Sequence, residues 1–316
     1  MLYGMKKLSI QNILVPIDFS AMSIDAIATA KRLANWFGAR THVVHVNQFA
    51  NPAAIVAEQS KIVAKRTGLF PREQRPLIRG AAPFHEICTL AHELPADLIL
   101  MPTHGYTGLR HIFLGSTAER VVQHSPCPVF VLRQKKQRSE IVRRLPIKKI
   151  VVPVDFSDCS REGLDYAIRF ANEFGARIIL LHVAYFGYTY SSDGMVLYDV
   201  SRLQEAVRES AEQQMRELVR TANFGRVKFE TILTNGSPVL DICTFAKDHD
   251  VGLIITSTHG LTGLKHVLIG SVAERVVRHA PCSVLVVPSH PQTRMANLPK
   301  ARGRTARQTT TQRAQL

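Results

Sequence analysis

Residues 103–132 read THGYTGLRHIFLGSTAERVVQHSPCPVFVL, and residues 258–287 read THGLTGLKHVLIGSVAERVVRHAPCSVLVV, with 19 of 30 positions identical. A gap-free match of that length within one chain marks a duplicated unit, and the unit decides the fold. Working outward, NILVPIDFS at 12–20 matches KIVVPVDFS at 149–157. The offset is 137 between Asp18 and Asp155 and 155 between Gly105 and Gly260. The second copy therefore carries about 18 extra residues, placed around 185–235.

Each copy alternates strand and helix. Residues 13–17 form a short apolar run rich in branched side chains, the pattern of a buried strand. Ser20 is an N-cap candidate, and Ile27, Ala30, Ala34 and Phe37 recur at helical spacing until Gly38 stops them. Strands are predicted at 43–46, 77–79, 97–101 and 129–132, with helices around 53–67, from Pro83 to His92, and at 117–124. The second copy repeats this order, with a longer helix at 199–222 that places Leu203, Val207, Ala211, Leu218 and Ala222 on one face. Strict alternation predicts an α/β fold: two tandem open five-stranded parallel sheets with helices on both faces. The predicted division is one domain at 8–133, a basic linker at 134–146, a second domain at 147–288 and a basic tail at 289–316. The tail is rich in Arg, Thr, Gln, Ala and Pro with little to bury, and reads as disordered.

Composition narrows the class. The 316 residues are 46% hydrophobic and 21% charged, which fits a globular chain with a core. No run of 18 apolar residues and no leader pattern occur, so the chain is expected to have no membrane span and to be cytoplasmic. Five cysteines without a CxxC pair indicate neither a disulfide framework nor a zinc site, and no metal ligand set is predicted. They read as small buried residues. The net charge of +15 suggests nucleic acid, but eight basic residues lie in 133–149 and six in 289–316, against a single acid. Thirteen of the fifteen net charges thus lie in 133–149 and 289–316, the linker with its immediate flanks and the tail. With no aromatic interleaving or recognisable reading motif beside them, nucleic acid is not the expected partner.

In open parallel sheets, ligands bind beyond the carboxyl ends of the strands, where strand order reverses. Asp18 and Asp155 end the first strands there, and His45-Val46 and His182-Val183 end the second. After the fourth strand, Gly105 and Gly115 are separated by nine residues, as are Gly260 and Gly270, and each second glycine precedes a serine, Ser116 or Ser271. Glycines allow close backbone approach, and free N–H groups at a helix start favour phosphate. Ser116 to Glu119 and Ser271 to Glu274 also fit a capping box, in which each serine only satisfies its own helix. Both readings stand at this stage. His104 and His259, beside the loop glycine, read as loop-positioning residues. HExxH, GxxxxGK[ST] and GxSxG are absent, and no catalytic residue is assigned, with slow hydrolysis as the upper bound.

Taken together, the strand-end PxDFS, the HV after the second strand and THGxTGL…GSxAERVVxHxPCxVxV resemble the universal stress protein family, over about 10–132 and 147–288. The resemblance implies an adenine nucleotide, ATP with Mg2+ as its companion ion, held at the strand ends. It implies a stress-response sensor or regulator. By position, Pro16 and Asp18, or Pro153 and Asp155, would lie beside the adenosine, and Val46 and Val183 would contact the adenine. Gly105, Gly115 and Ser116, and likewise Gly260, Gly270 and Ser271, would cradle the phosphates, with Ser257 a further nucleotide-binding position. The family's phosphate signature is G-x2-G-x9-G-(S/T), and its first glycine is Pro102 in one copy and Ser257 in the other. Proline removes an N–H donor, so the second site keeps more of the pattern. The resemblance also implies pairing of the two domains through their last strands, with a homodimer as a further step. The competing reading is a nucleotide-free dimerising scaffold that acts by protein–protein contacts.

Overall fold

The computed structural model describes residues 7–46, 77–79, 82–103, 114–133, 147–184, 200–258 and 270–289, with six isolated helical positions between 55 and 65. The helix expected around 53–67 is represented by those six positions alone. The linker, the tail and most of both glycine loops lie outside the described residues.

The first half runs β1 (Asn12–Ile17), α1 (Ala21–Phe37), β2 (Arg40–Val46), β3 (Leu77–Arg79), α2 (Pro83–Glu93), β4 (Leu98–Pro102), α3 (Ser116–His124) and β5 (Val129–Leu132). The second half runs β6 (Lys149–Pro153), α4 (Asp158–Phe174), β7 (Arg177–Ala184), α5 (Val200–Thr221), β8 (Phe229–Asn235), α6 (Pro238–Asp248), β9 (Leu253–Ser257), α7 (Ser271–His279) and β10 (Ser283–Val287). The five strands of each half are parallel, in the order β3-β2-β1-β4-β5 and its counterpart β8-β7-β6-β9-β10. Strand order reverses between β1 and β4, and between β6 and β9.

The two halves are joined where β5 meets β10. These strands pair antiparallel, Val129 with Val286, Phe130 with Leu285 and Val131 with Val284, so the ten strands form one continuous sheet. Phe130 and Leu285 are equivalent residues of the repeat and face each other, which makes the junction symmetric about that pair. Antiparallel pairing has a geometric consequence: the carboxyl edges of the two halves point in opposite directions.

Alternation along each strand fills both faces. Ile13, Val15, Leu98, Leu100 and Phe130 pack with α1, and Ile150, Val152, Leu253 and Leu285 continue that layer under α4. Leu14, Ile99, Val129 and Val131 point the other way against α2 and α3, as Val151, Ile254 and Val284 do against α6 and α7. This double burial is what a central parallel strand requires. On the α1/α4 face, Trp36 stacks on Phe174 at 5.1 Å and Phe37 meets the same ring edge-on at 5.8 Å, which carries the core across the junction.

Several boundaries differ from the sequence reading for local reasons. Asp97 precedes β4 instead of starting it. Its Oδ2 accepts hydrogen bonds from the amides of Gln11 and Asn12, at 2.7 and 2.9 Å, and so anchors the start of β1. Of the cysteines, Cys88 and Cys127 are buried, whereas Cys159, Cys243 and Cys282 keep partial exposure. Burial pushes the Cys127 and Cys282 thiols up to about 12, which keeps both protonated at neutral pH.

Candidate functional site at the carboxyl edges

The turn from β1 into α1 and its counterpart from β6 into α4 are built on one plan. Ser20 and Ser157 cap their helices, each hydroxyl accepting the amide of Ser23 or Ser160 at 3.2 Å. Asp18 Oδ1 accepts the Ser20 amide at 3.0 Å, and Asp155 Oδ1 accepts the Ser157 amide at 3.1 Å and its hydroxyl at 2.6 Å. Between aspartate and serine, the backbone of Phe19 has φ 63° and that of Phe156 φ 65°. A left-handed phenylalanine costs about 1–3 kcal/mol and persists only where its surroundings hold it.

What holds it is a histidine from the neighbouring strand. The Phe19 ring packs on His45 and the Phe156 ring on His182, both at 4.4 Å between centroids. Each imidazole donates from Nδ1 to a backbone carbonyl, His45 to Ile17 at 3.0 Å and His182 to Val154 at 2.8 Å. A carbonyl only accepts, so Nδ1 carries the proton in both halves. The sequence reading noted these histidines only as strand-end markers and missed both phenylalanines. The signal was present: DFS and HV recur at one common offset.

The glycine loop is tied off by threonine. Thr103 and Thr258, both buried, donate their amides to Leu132 and Val287 at 3.2 and 3.0 Å. Their carbonyls accept the amides of Gly115 and Gly270, at 2.8 and 2.6 Å. The loop thus leaves and returns at a single point on the carboxyl edge.

Gly115 and Gly270 are the N-caps of α3 and α7, extended at φ −61° and −68°. Their carbonyls accept the first helical bonds, from Glu119 and Glu274 at 2.9 and 3.1 Å. Ser116 and Ser271 therefore occupy the first helical position, one residue too late for a capping box. Glycine has no side chain to cap with, so the amides of Ser116, Thr117 and Ala118, and of Ser271, Val272 and Ala273, have no hydrogen-bond partner among the described residues. Ser116 and Ser271 are exposed beside them.

The remaining predicted positions fall around this point. Val46 ends β2 and Val183 lies one residue before the end of β7, both partly exposed. Asp18, Val46 and Thr103 thus sit at the ends of three adjacent strands, as do Asp155, Val183 and Thr258. With strands about 4.8 Å apart, each trio spans about 10 Å. Pro16 is buried inside β1, whose pairing with β4 stops at Leu14, so its missing N–H leaves no ladder bond unmade. Pro153 ends β6 and Ser257, buried, ends β9. His104, Gly105, His259 and Gly260 lie outside the described residues. Among the described residues there is no group of three His, Cys, Asp or Glu suited to a metal ion, and no helix long and apolar enough to cross a membrane.

Comparisons with known proteins bear on the family and the fold. The universal stress protein family model matches twice, at residues 9–133 and 146–288. A universal stress protein of Methanocaldococcus jannaschii is 35% identical over 140 residues, 44% of this chain and 81% of that protein. One from Bacillus subtilis is 32% identical over 144 residues, 44% of this chain and 97% of that protein. The crystal structure of a universal stress protein from Archaeoglobus fulgidus, 19% identical, superposes with a TM-score of 0.58 over 89% of this chain and 97% of that one. At that identity, the likeness is one of fold.

Proposed function

The chain belongs to the universal stress protein family, and from that premise we propose that it binds ATP at the carboxyl edge of each half and acts as a nucleotide-responsive regulator in a stress response. One observation carries the reading: three amides without a partner among the described residues, at a glycine-capped helix start, beside an aspartate turn, at the point where strand order reverses. Such a helix end offers N–H donors and a positive dipole end to a phosphate group. The serine hydroxyl in its first turn would add a donor, and the aspartate and valine of the two neighbouring strands would face the nucleoside. Mg2+ would enter with the triphosphate, coordinated by phosphate oxygens.

In this reading the domains are residues 8–133 and 147–288, and the β5–β10 junction is a standing domain pair within one chain. Association of two chains into a homodimer is a further step that sedimentation would read directly. No residue is given a catalytic role. A rigid turn with a strained phenylalanine suits a site that holds a ligand in one geometry, and occupancy is then what a partner protein would sense.

A nucleotide-free scaffold is favoured by one observation, and only in the first half: Pro102 has no amide where the family's signature has glycine. Mass spectrometry of nucleotide released on denaturing the freshly purified protein distinguishes the two readings. Released adenine nucleotide supports a binding protein, and its absence together with failure to bind added ATP supports the scaffold.

A further inference from the structure

Helices α3 and α7 meet across the β5–β10 junction, and the residue that links them has no charged counterpart in the repeat. Arg278 Nη2 lies 2.9 Å from Glu274 Oε1, one turn back on α7, and 3.5 Å from Glu119 Oε2 on α3. Arg133 Nη1 donates to the Arg278 carbonyl at 3.0 Å and fixes that end of α7. The three charged side chains keep only 28–31% of their surface exposed. Screening by water is weaker there than at an open surface pair.

The repeat offset makes Glu119 and Glu274 equivalent, and places Gln123 where the second half has Arg278. By the symmetry of the junction about Phe130 and Leu285, Gln123 is the position that would approach Glu274 as Arg278 approaches Glu119. One guanidinium thus serves two equivalent carboxylates, and the mirrored position supplies no charge.

Both glutamates follow the glycine cap by four residues. At 1.5 Å per residue, each lies roughly 5 Å along the axis from the first helical residue, well inside the Debye length. An uncompensated carboxylate there stabilises its own helix dipole but repels a polyphosphate at the same end. The arginine lessens that conflict in both halves.

We propose that Arg278 is a charge-compensating residue for both nucleotide sites, its single positive charge partly offsetting Glu119 in the first half and Glu274 in the second so that each helix start keeps more of its positive field for phosphate. The proposal rests on the nucleotide reading above and adds a coupling to it. Two sites on opposite edges of one sheet share a single counter-charge, and the phosphates sense it while the nucleoside does not.

The test compares ATP with adenosine in calorimetric titrations of the full chain. Arg278→Gln should weaken ATP about three- to tenfold at both sites, the size of one uncompensated charge at this range, and leave adenosine unchanged. Adding Gln123→Arg should restore ATP affinity from the mirrored position. Replacing both carboxylates instead, Glu119→Gln with Glu274→Gln, should restore it in the Arg278→Gln background with no arginine present. Unchanged ATP binding, equal losses for ATP and adenosine, or no recovery in either combined variant overturns the proposal and leaves Arg278 a structural link. An unsubstituted chain that binds neither ligand refutes the nucleotide reading itself, and this proposal with it.

Discussion

The two halves share every element that builds the strand-end turn, yet differ at the positions around it. Asp18 and Asp155, Phe19 and Phe156, His45 and His182, and Gly115 and Gly270 match in identity, and the described contacts of each pair have closely similar geometry. Against this, Pro102 stands opposite Ser257, Ala26 opposite Gly163, His42 opposite Ile179 and Gln123 opposite Arg278. Gly163 faces β9, where a Cβ would meet the Ser257 amide nitrogen at 3.4 Å, an ordinary contact. The second half therefore combines an amide-bearing serine with a glycine packed against it. Duplication has kept the scaffold of the turn and let the edges of each site diverge.

The comparison breaks most severely at the junction. Phe130 and Leu285 are fully buried on the symmetry point of the sheet. Phe130→Ala should cost about 3–5 kcal/mol and Leu285→Ala about 2–5 kcal/mol of stability in denaturant titrations. If either costs less than 1 kcal/mol, the halves are not held by that pair.

Next in size is the aspartate turn. Asp155→Ala removes a carboxylate that accepts the Ser157 amide and hydroxyl, and Asp18→Ala removes its equivalent. Each should weaken nucleotide in its own half by about tenfold or more, the usual scale for a lost charged hydrogen bond. Calorimetric stoichiometry for the two variants would show whether the sites are independent.

A milder effect is expected from exchanging the diverged signature position. Pro102→Ser restores an amide and should tighten the first half by a few-fold, and Ser257→Pro should loosen the second by about as much, a change of about 1 kcal/mol each way. Equal affinities in both halves of the unsubstituted chain would mean that the proline is silent.

The smallest difference is one of pH. His42 Nε2 donates to Asn12 Oδ1 at 3.0 Å, and burial, with Arg40 nearby, holds its pKa below the ordinary 6.5. Folding therefore favours the neutral ring. The stability it contributes is present above the unfolded value and is lost as pH falls through the folded one. Denaturation midpoints should drop on acidification below about pH 6.5, and His42→Gln should flatten that part of the profile. Ile179, its equivalent, has no such dependence.

Much of this molecule is legible in the sequence because it is written twice. The apolar runs of β1 and β6, the serine caps and the glycine stops at Gly38 and Gly175 follow from periodicity and from left-handed geometry that glycine alone adopts freely. The helix starts at Gly115 and Gly270 were legible only to within one residue, since GS and S-x-x-E place the cap on either residue. The left-handed phenylalanines were not legible. Local propensity assigns that conformation to Gly, Asn or Asp, and only the tertiary contact with His45 or His182 overrides it. Arg278 was hidden for the same reason, because its partner Glu119 is distant in sequence and adjacent only through the β5–β10 register.

The most direct measurement is calorimetric titration of the intact protein with ATP at low micromolar concentration, repeated with Gly270→Pro, which alters the cap of α7. The account predicts saturable ATP binding by the unsubstituted chain, with the second half's share lost in the variant. Binding that is indifferent to the cap, or no binding at all, would contradict the claim that the helix start holds the phosphates.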